Sequence, residues 1–481
     1  MIHYKLAAPE PTSHFLVVEM SISNINSEII EVQLPAWRPG RYELQNFAKN
    51  ISSFEVFDLD NQPLSFRKIT KDRWQINTKG QALVLKYQYY ANLLNAGSSF
   101  IDDTQWYINF VNCLPYVEGR IDESCRVSLD MPKHYKVACG ITEISKFEFL
   151  AKDFYELADC PLMASATLRH QSYTVANAPD TNFHLWFQSS YKPDFEQITN
   201  DFAKFTALQL EKFCDIPCQD YHFLIHILPV PYYHGVEHRN STVIVLGPDT
   251  QANEFYPDLL GVCSHELYHT WNICKIRPKE LLPYNFTQEN YFYTGFVAEG
   301  VTTYMGDLFL VQSGVFTEEN YLLELGATLK KHFEKDGKAF QSLAESSYDL
   351  WLDGYVQAIP NRRVSIYSKG AVVALMLDLK IRQKTIHAKS LHDVMKLMWE
   401  RFGKPFVGYD SADYQAIAEE VYGESLVQYF EDCIWSNIPL QSQLNELLAW
   451  VGLSLKQQTD QSYKLEILDI ENIDRQRWLC I

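Results

Sequence analysis

Five consecutive residues, His265-Glu266-Leu267-Tyr268-His269, set two imidazoles four positions apart with a carboxylate between them. On an α-helix positions i and i+4 share a face, so both rings can reach one divalent ion. Glu266, one residue past the first ring, projects toward the ion's open side, where it can take a proton from water. The implied chemistry is hydrolysis by an activated water. A catalytic zinc takes three protein ligands and keeps one position open. His269 leads into Thr270-Trp271-Asn272, with no further His close behind, so a Glu from a second helix is expected. Glu299 is the best candidate, a carboxylate within the otherwise apolar Phe296-Val297-Ala298-Glu299-Gly300-Val301. An isolated charge there is costly unless it meets a cation. Gly300 beside it costs about 1 kcal/mol of helix propensity relative to Ala, which is reasonable where a second backbone must approach closely.

The elements that position these residues can be read around them. Pro257-Asp258 reads as a helix start, Pro278 as a stop near Arg277, and no Pro or Gly interrupts 262–277. Further helices are expected over 291–312, 318–335, 369–383, 391–402 and 411–422, and an earlier one over 195–213, where Ile198, Phe202, Phe205 and Leu208 recur at helical spacing. Residues 222–228 and 243–246 read as strands, with a polar, turn-rich segment over 231–238 between them. Residues 1 to about 170 read as β: runs such as 15–20, 29–34 and 83–90 are β-branched or aromatic and separated by turn formers. Several such strands without helices suggest a sandwich. The expected fold is therefore multidomain: an all-β, sandwich-like domain (1–170) precedes a mixed and then helical catalytic unit (171–310 and 311–453), and a short mixed tail (454–481) follows.

Composition narrows the function classes. A chain of 481 residues exceeds one compact core. Lys+Arg 42 against Asp+Glu 60 gives a net charge of −18, which would repel a phosphate backbone, and no long basic run offsets it. Nucleic acid is not an expected partner. No apolar run is long enough to cross a bilayer, and the N-terminus lacks a secretory pattern. The ten cysteines form no paired C-x-x-C knots. Reduced thiols in a cytoplasmic protein are the expectation.

The motif extends well beyond five residues. His265-Glu266-Leu267-Tyr268-His269-Thr270-Trp271-Asn272, then Arg277-Pro278, then Glu299-Gly300 thirty residues after His269, resembles the glycyl aminopeptidase family of thermolysin-like gluzincins. The resemblance implies one Zn²⁺ held by His265, His269 and Glu299, with Glu266 as general base. It also covers Leu34-Pro35-Ala36-Trp37-Arg38-Pro39-Gly40-Arg41-Tyr42, similar to an element of the family's β domain. Gly235-Val236-Glu237-His238 is similar to an exopeptidase motif; a carboxylate near the metal would pair with a free ammonium, which makes Glu237 the candidate amine-binding residue and Gly235 part of its setting. Ile366-Tyr367-Ser368-Lys369-Gly370-Ala371 resembles the Y-x-K-G-A element of related aminopeptidases, and implies that the Tyr367 phenol donates to an oxyanion. Family members continue into a PDZ domain; only 28 residues follow Leu453, too few for one, so none is expected.

The expected activity is removal of small N-terminal residues, Gly or Ala, from peptides. Two other readings stand beside it. A zinc endopeptidase would use the same centre without an amine-binding role for Glu237. A non-catalytic peptide-binding protein would need no base, yet Glu266 is present. No membrane contact is expected, and the sequence leaves the oligomeric state open.

Overall fold

Period-two alternation in the first 165 residues becomes strands that bury every second side chain. Phe15–Ile22 buries Leu16, Val18, Met20 and Ile22 and pairs antiparallel with both Ile2–Ala7 and Leu83–Tyr90. These belong to a seven-stranded sheet that also takes in Ile51–Asp58, Cys125–Asp130, Thr142–Ser145 and Glu148–Ala151. A four-stranded sheet around Ile29–Gln33 and Arg73–Asn77 shares its core, with Phe54 stacked on Trp74 at 4.6 Å between ring centroids. A third sheet, containing Gln105–Ile108, Lys136–Cys139 and Leu162–Ser165, goes beyond the simple sandwich expected. A computed structural model describes residues 1–250, 252–356, 359 and 362–481 of the chain.

The third sheet packs on the next domain. Tyr107, Ala138 and Met163 share a buried cluster with Leu224, Val236, Val243 and Val245. Those last four belong to a five-stranded sheet built from β1 (Arg169–Val175), β2 (Ala178–Gln188), β3 (Asp220–Ile227), β4 (Tyr232–His238) and β5 (Ser241–Gly247). Its order is β1-β2-β3-β5-β4, with β2, β3 and β5 parallel and β4 antiparallel at the edge. β3 and β5 are covered on both faces, which explains their near-continuous apolar runs. β4 corrects an expectation: residues 231–238 are not a turn-rich link. An edge strand tolerates alternating polar residues and a Gly, and β4 is held by its ladder to β5, Gly235 opposite Ile244 and Glu237 opposite Thr242.

Helices cover the sheet's other face. α1 (Phe195–Phe213) packs against α2 (Ala252–Tyr268), and α2 crosses α3 (Thr302–Gln312). α4 (Glu318–Phe333) and α5 (Ser368–Thr385) complete the wall around them. α2 departs from its expected bounds at both ends, since Pro257 lies inside it and it stops at Tyr268 rather than near Arg277. After Tyr268 the chain tightens into turns, Ile273 takes a left-handed φ of 82°, and the Arg277 guanidinium donates to the carbonyls of Ile273 (3.2 Å) and Cys274 (3.0 Å). The expected 291–312 helix is also divided: Phe296–Val301 is a π turn, and α3 follows it. Residues 399–402, expected as the end of a helix, fall in a second π turn, Trp399–Gly403, after Leu391–Met398.

The last residues, expected as a mixed tail, form a hairpin (Leu453–Gln457 with Tyr463–Ile467) and a helix, Ile473–Leu479. Trp478 is fully buried in the main helical core and donates to the Tyr304 hydroxyl at 3.0 Å. All ten cysteines are free thiols, seven of them buried. Among the described residues no helix is long and apolar enough to cross a membrane.

Candidate metal centre and substrate cavity

α2 delivers His265, the turn that follows it keeps His269 on the same face through a His269 N–H bond to the His265 carbonyl (3.3 Å), and the π turn before α3 delivers Glu299. The two imidazole Nε2 atoms lie 3.0 Å apart, and the Glu299 Oε2 lies 3.7 Å from His265 Nε2 and 3.4 Å from His269 Nε2. Three good donor atoms converge within a metal's reach. His269 Nδ1 stands 3.0 Å from the Asn272 carbonyl oxygen. An Nδ1–H donating there leaves the Nε2 lone pair facing the other two donors, the tautomer a metal ligand needs. The donor set, two imidazoles and a carboxylate with a fourth direction open to a cavity, fits a catalytic divalent ion.

The Trp-Asn extension of the motif has a structural job that the spacing did not disclose. The π turn leaves carbonyls outside the regular ladder, and the Asn272 amide donates to those of Val297 (2.8 Å) and Ala298 (3.2 Å) and to Thr302 Oγ1 (2.9 Å). One side chain thus ties the turn after α2 to the turn that carries Glu299. Close helix contact does the rest. A Cβ on Gly300 would stand 2.4 Å from the Gly370 Cα, and one on Gly306 would stand 3.1 Å from the His265 Cα. The close approach expected at Gly300 is therefore made by α5.

Electrostatically the centre is built around opposed charges. Burial works against ionising Glu299, yet His269 and His265 hold its carboxyl down at about 2. Burial likewise disfavours the His269 cation, but Glu299 foremost among its neighbours raises it to about 10. His265 is lowered, chiefly by burial. Glu266 is buried and raised well above the carboxylate range by burial, with Glu237 and Glu299 adding to the effect and His269 opposing it. A carboxylate that wants a proton, beside a metal-competent triad, is suited to general-base work.

Gly235 and Glu237 come to the same place on β4. A Cβ on Gly235 would stand 2.1 Å from Glu266 Oε1, so only glycine leaves that carboxylate its position. Glu237 is 8% exposed, and its carboxylate has no ion-pair or side-chain hydrogen-bond partner among the described residues. It lies with Glu266 and His269 in a second group whose ligand atoms are within 4.8 Å of one another. Burial raises its pKa, His269 lowers it and Glu299 raises it further. Tyr367 caps the start of α5 and lines the same cavity. Its phenol stays protonated, pushed up by burial and then by Glu299.

Sequence reasoning missed several residues around this cavity. Gly40, from the β domain, lines it in a left-handed conformation (φ 77°), and a Cβ there would stand 2.8 Å from Glu237 Oε2. The Pro39-Gly40 turn was legible, though not its destination. Arg38, 1% exposed, is buried beside it, and Glu237 is among the charges acting on it. Thr242, on β5, stands 3.4 Å from Glu266 Oε2. The cavity, about 460 Å³, runs from Gly40 and Glu237 past the metal-competent triad to Asp258, Asp307, Glu324 and Lys331.

Residues 3–166 match the Peptidase M61 N-terminal domain model, and residues 258–373 match that of M61 glycyl aminopeptidase. No curated protein matches. The crystal structure of an aminopeptidase N family protein from Idiomarina loihiensis is 31% identical, with a TM-score of 0.90, over 95% of this chain and 79% of that one. An M1 zinc metallopeptidase from Deinococcus radiodurans shares the fold at 14% identity and a TM-score of 0.55, over 91% of this chain and 94% of that one. The same holds for a mutant of that enzyme bound to a Tyr-Ser-Ala substrate (14%, TM-score 0.52, 90% and 93% covered). With a sheet-rich N-terminal domain, a helical peptidase domain and a His-His-Glu cluster between helices, the chain is a metallopeptidase and belongs to the M61 glycyl aminopeptidase family.

Proposed function

We propose that the protein is a zinc aminopeptidase that removes small N-terminal residues from peptides. The observation that carries this reading is one cavity that joins the His265–His269–Glu299 triad to a buried, unpaired carboxylate, Glu237. The ligand set suits a single Zn²⁺, and the mixed sheet followed by two crossing helices suits a thermolysin-like catalytic domain. When bound, the ion would acidify a water and polarise the scissile carbonyl. Glu266 takes the proton of the attacking water and returns it to the leaving amine; its raised proton affinity favours the first transfer. The Tyr367 hydroxyl donates to the oxyanion that develops on the carbonyl oxygen. Glu237 pairs with the substrate ammonium, an attraction strengthened by burial. Gly40 and Gly235 leave the two carboxylates their positions, the Gly40 turn lying against Glu237 and Gly235 against Glu266. The preference for Gly or Ala at the N-terminus is carried over from the glycyl aminopeptidase family.

The test is a Glu266→Gln variant assayed with metal content. Expected are unchanged zinc by elemental analysis and a fall in peptide hydrolysis of about 10²–10⁴-fold. Alanine and glycine nitroanilides should be turned over faster than those of leucine or arginine. N-acetylated peptides should be refractory; hydrolysis of them at the rate of free peptides would replace this reading with an endopeptidase using the same centre.

A further inference from the structure

Beyond Lys331 the substrate cavity continues into a recess of about 270 Å³, and Lys331 and Ser368 line both. The recess is lined by Lys331, Lys335, Lys338, Arg363, Ser365 and Ser368 among others, and none of the described lining residues is acidic. In a chain of net charge −18 this is a local inversion of sign. Two of the cations are anchored on backbone carbonyls: Lys338 Nζ donates to those of Phe333 (2.7 Å) and Lys335 (2.9 Å), and Arg363 donates to those of Asp353 (2.8 Å) and Gly354. The N-terminus of α5 opens at Ser368 and adds the positive end of an 18-residue helix. The field is felt nearby, since the buried His332 is held neutral at about 3, by burial first and then by Lys369 and Lys338.

Position gives the recess a meaning. The cavity runs along α2: Glu237 meets the His269 end, and Asp258 stands seven residues before His265, roughly 10 Å up the helix axis. Lys331 acts on Asp258 and Asp307 at that far end. A peptide with its ammonium on Glu237 therefore extends its leaving side toward Lys331, Ser368 and the recess.

We propose that this recess binds a carboxylate on the leaving side of the peptide, so that the preferred substrates are short peptides ending in a free carboxylate within its reach. The proposal rests on the peptidase reading and adds a substrate class to it. Two sources can supply the group, the peptide C-terminus or an acidic side chain at the same depth.

The experiment uses the full-length, zinc-loaded protein with trialanine, trialanine amide, Ala-Ala-Asp amide and alanine nitroanilide. Expected is a kcat/KM for trialanine about tenfold or more above that of its amide, with the ratio falling toward one in Lys335→Gln and in Lys331→Gln. Recovery of the rate with Ala-Ala-Asp amide would show that a side-chain carboxylate serves as well; no recovery would assign the recess to the C-terminus. Equal rates for acid and amide in the wild type would overturn the proposal, as would a high ratio untouched by either lysine variant. Turnover of the nitroanilide in either case would leave the peptidase reading standing, whereas failure on every substrate would refute that reading instead.

Discussion

Gly235→Ala tests the site by moving one carboxylate without removing a functional group. The Cβ of alanine would stand 2.1 Å from Glu266 Oε1, 2.7 Å from its Cδ and 2.9 Å from Val262 Cγ2. Ordinary contact begins at 3.4 Å, so the Glu266 oxygen must retreat by 3.4 − 2.1 = 1.3 Å. Glu266 has little room to do so, being 5% exposed with Thr242 Oγ1 3.4 Å from its other oxygen. A misplacement of about 1 Å in a reacting group costs roughly 10²-fold, or about 2.7 kcal/mol in the barrier. The expected outcome is a kcat about 10²-fold lower on alanine nitroanilide, with KM within a few-fold of wild type. Zinc content should stay near one ion per chain, because neither imidazole nor Glu299 is displaced. Gly235 has no left-handed backbone to strain, and thermal unfolding should shift by only a few degrees. A kcat within twofold of wild type would refute the assignment of Glu266 as base at this position. A variant that lost zinc would instead show that β4 supports the ligands.

Gly300→Ala is expected to strike the ligand frame. A Cβ 2.4 Å from the Gly370 Cα meets backbone, so the π turn and α5 must part; overpacking of this kind costs about 1–3 kcal/mol, and calorimetry should show a lower Tm together with faster zinc loss to a chelator. Lys369→Met should stabilise. Lys369 is 1% exposed, and burial pushes its ammonium down to about 8 from 10.5. Between those values the unfolded chain binds more protons than the folded one, so wild-type stability climbs as pH rises from about 8 to 10.5. Below pH 8 the buried charge costs up to about 3 kcal/mol, and methionine should recover much of it. Melting curves at pH 7 and pH 10.5 check the sign, since the gain should be large at the first and small at the second.

The pairing of the two candidate imidazoles was legible because a helical turn makes spacing equivalent to direction: His265 on α2 and His269 one residue past its end have little choice but to meet. Glu299 was legible for a different reason, the cost of a charge in an apolar segment beside an otherwise unexplained Gly. The missed features share a physical origin in tertiary context. β4 reads as a loop because an edge strand needs only one ladder, and its Gly, Glu and His residues serve the cavity rather than the sheet. The π turn cannot be read from periodicity, since one extra residue in a turn leaves the apolar pattern on either side intact. Its stabiliser, Asn272, was quoted as part of a motif, but its amide has meaning only once the π turn is known to bring the Val297 and Ala298 carbonyls within its reach. The end of α2 at Tyr268 is likewise set by the left-handed Ile273 and the Arg277 guanidinium, not by Pro278.

On the proposed function, the N-terminal domain is part of the catalytic apparatus. Its third sheet closes one face of the sheet that carries β4, through Tyr107 and Met163 against Val236 and Val243. Its 34–42 segment then passes over the cavity, with Trp37 Nε1 donating to the Asn285 carbonyl at 2.6 Å and Tyr42 packed on Phe292 and Trp351. Gly40 is the point of contact with chemistry, its Cα turned so that the Glu237 carboxylate fits beneath. A carboxylate so buried and unpaired is tolerated only if the surrounding packing over-determines its place, and here the packing comes from two domains. On the function proposed above, specificity for the amino end of a substrate would be a property of the junction between them. This explains why the residues that shape it, Gly40 and Arg38 on one side and Gly235 and Glu237 on the other, lie some two hundred positions apart in the chain.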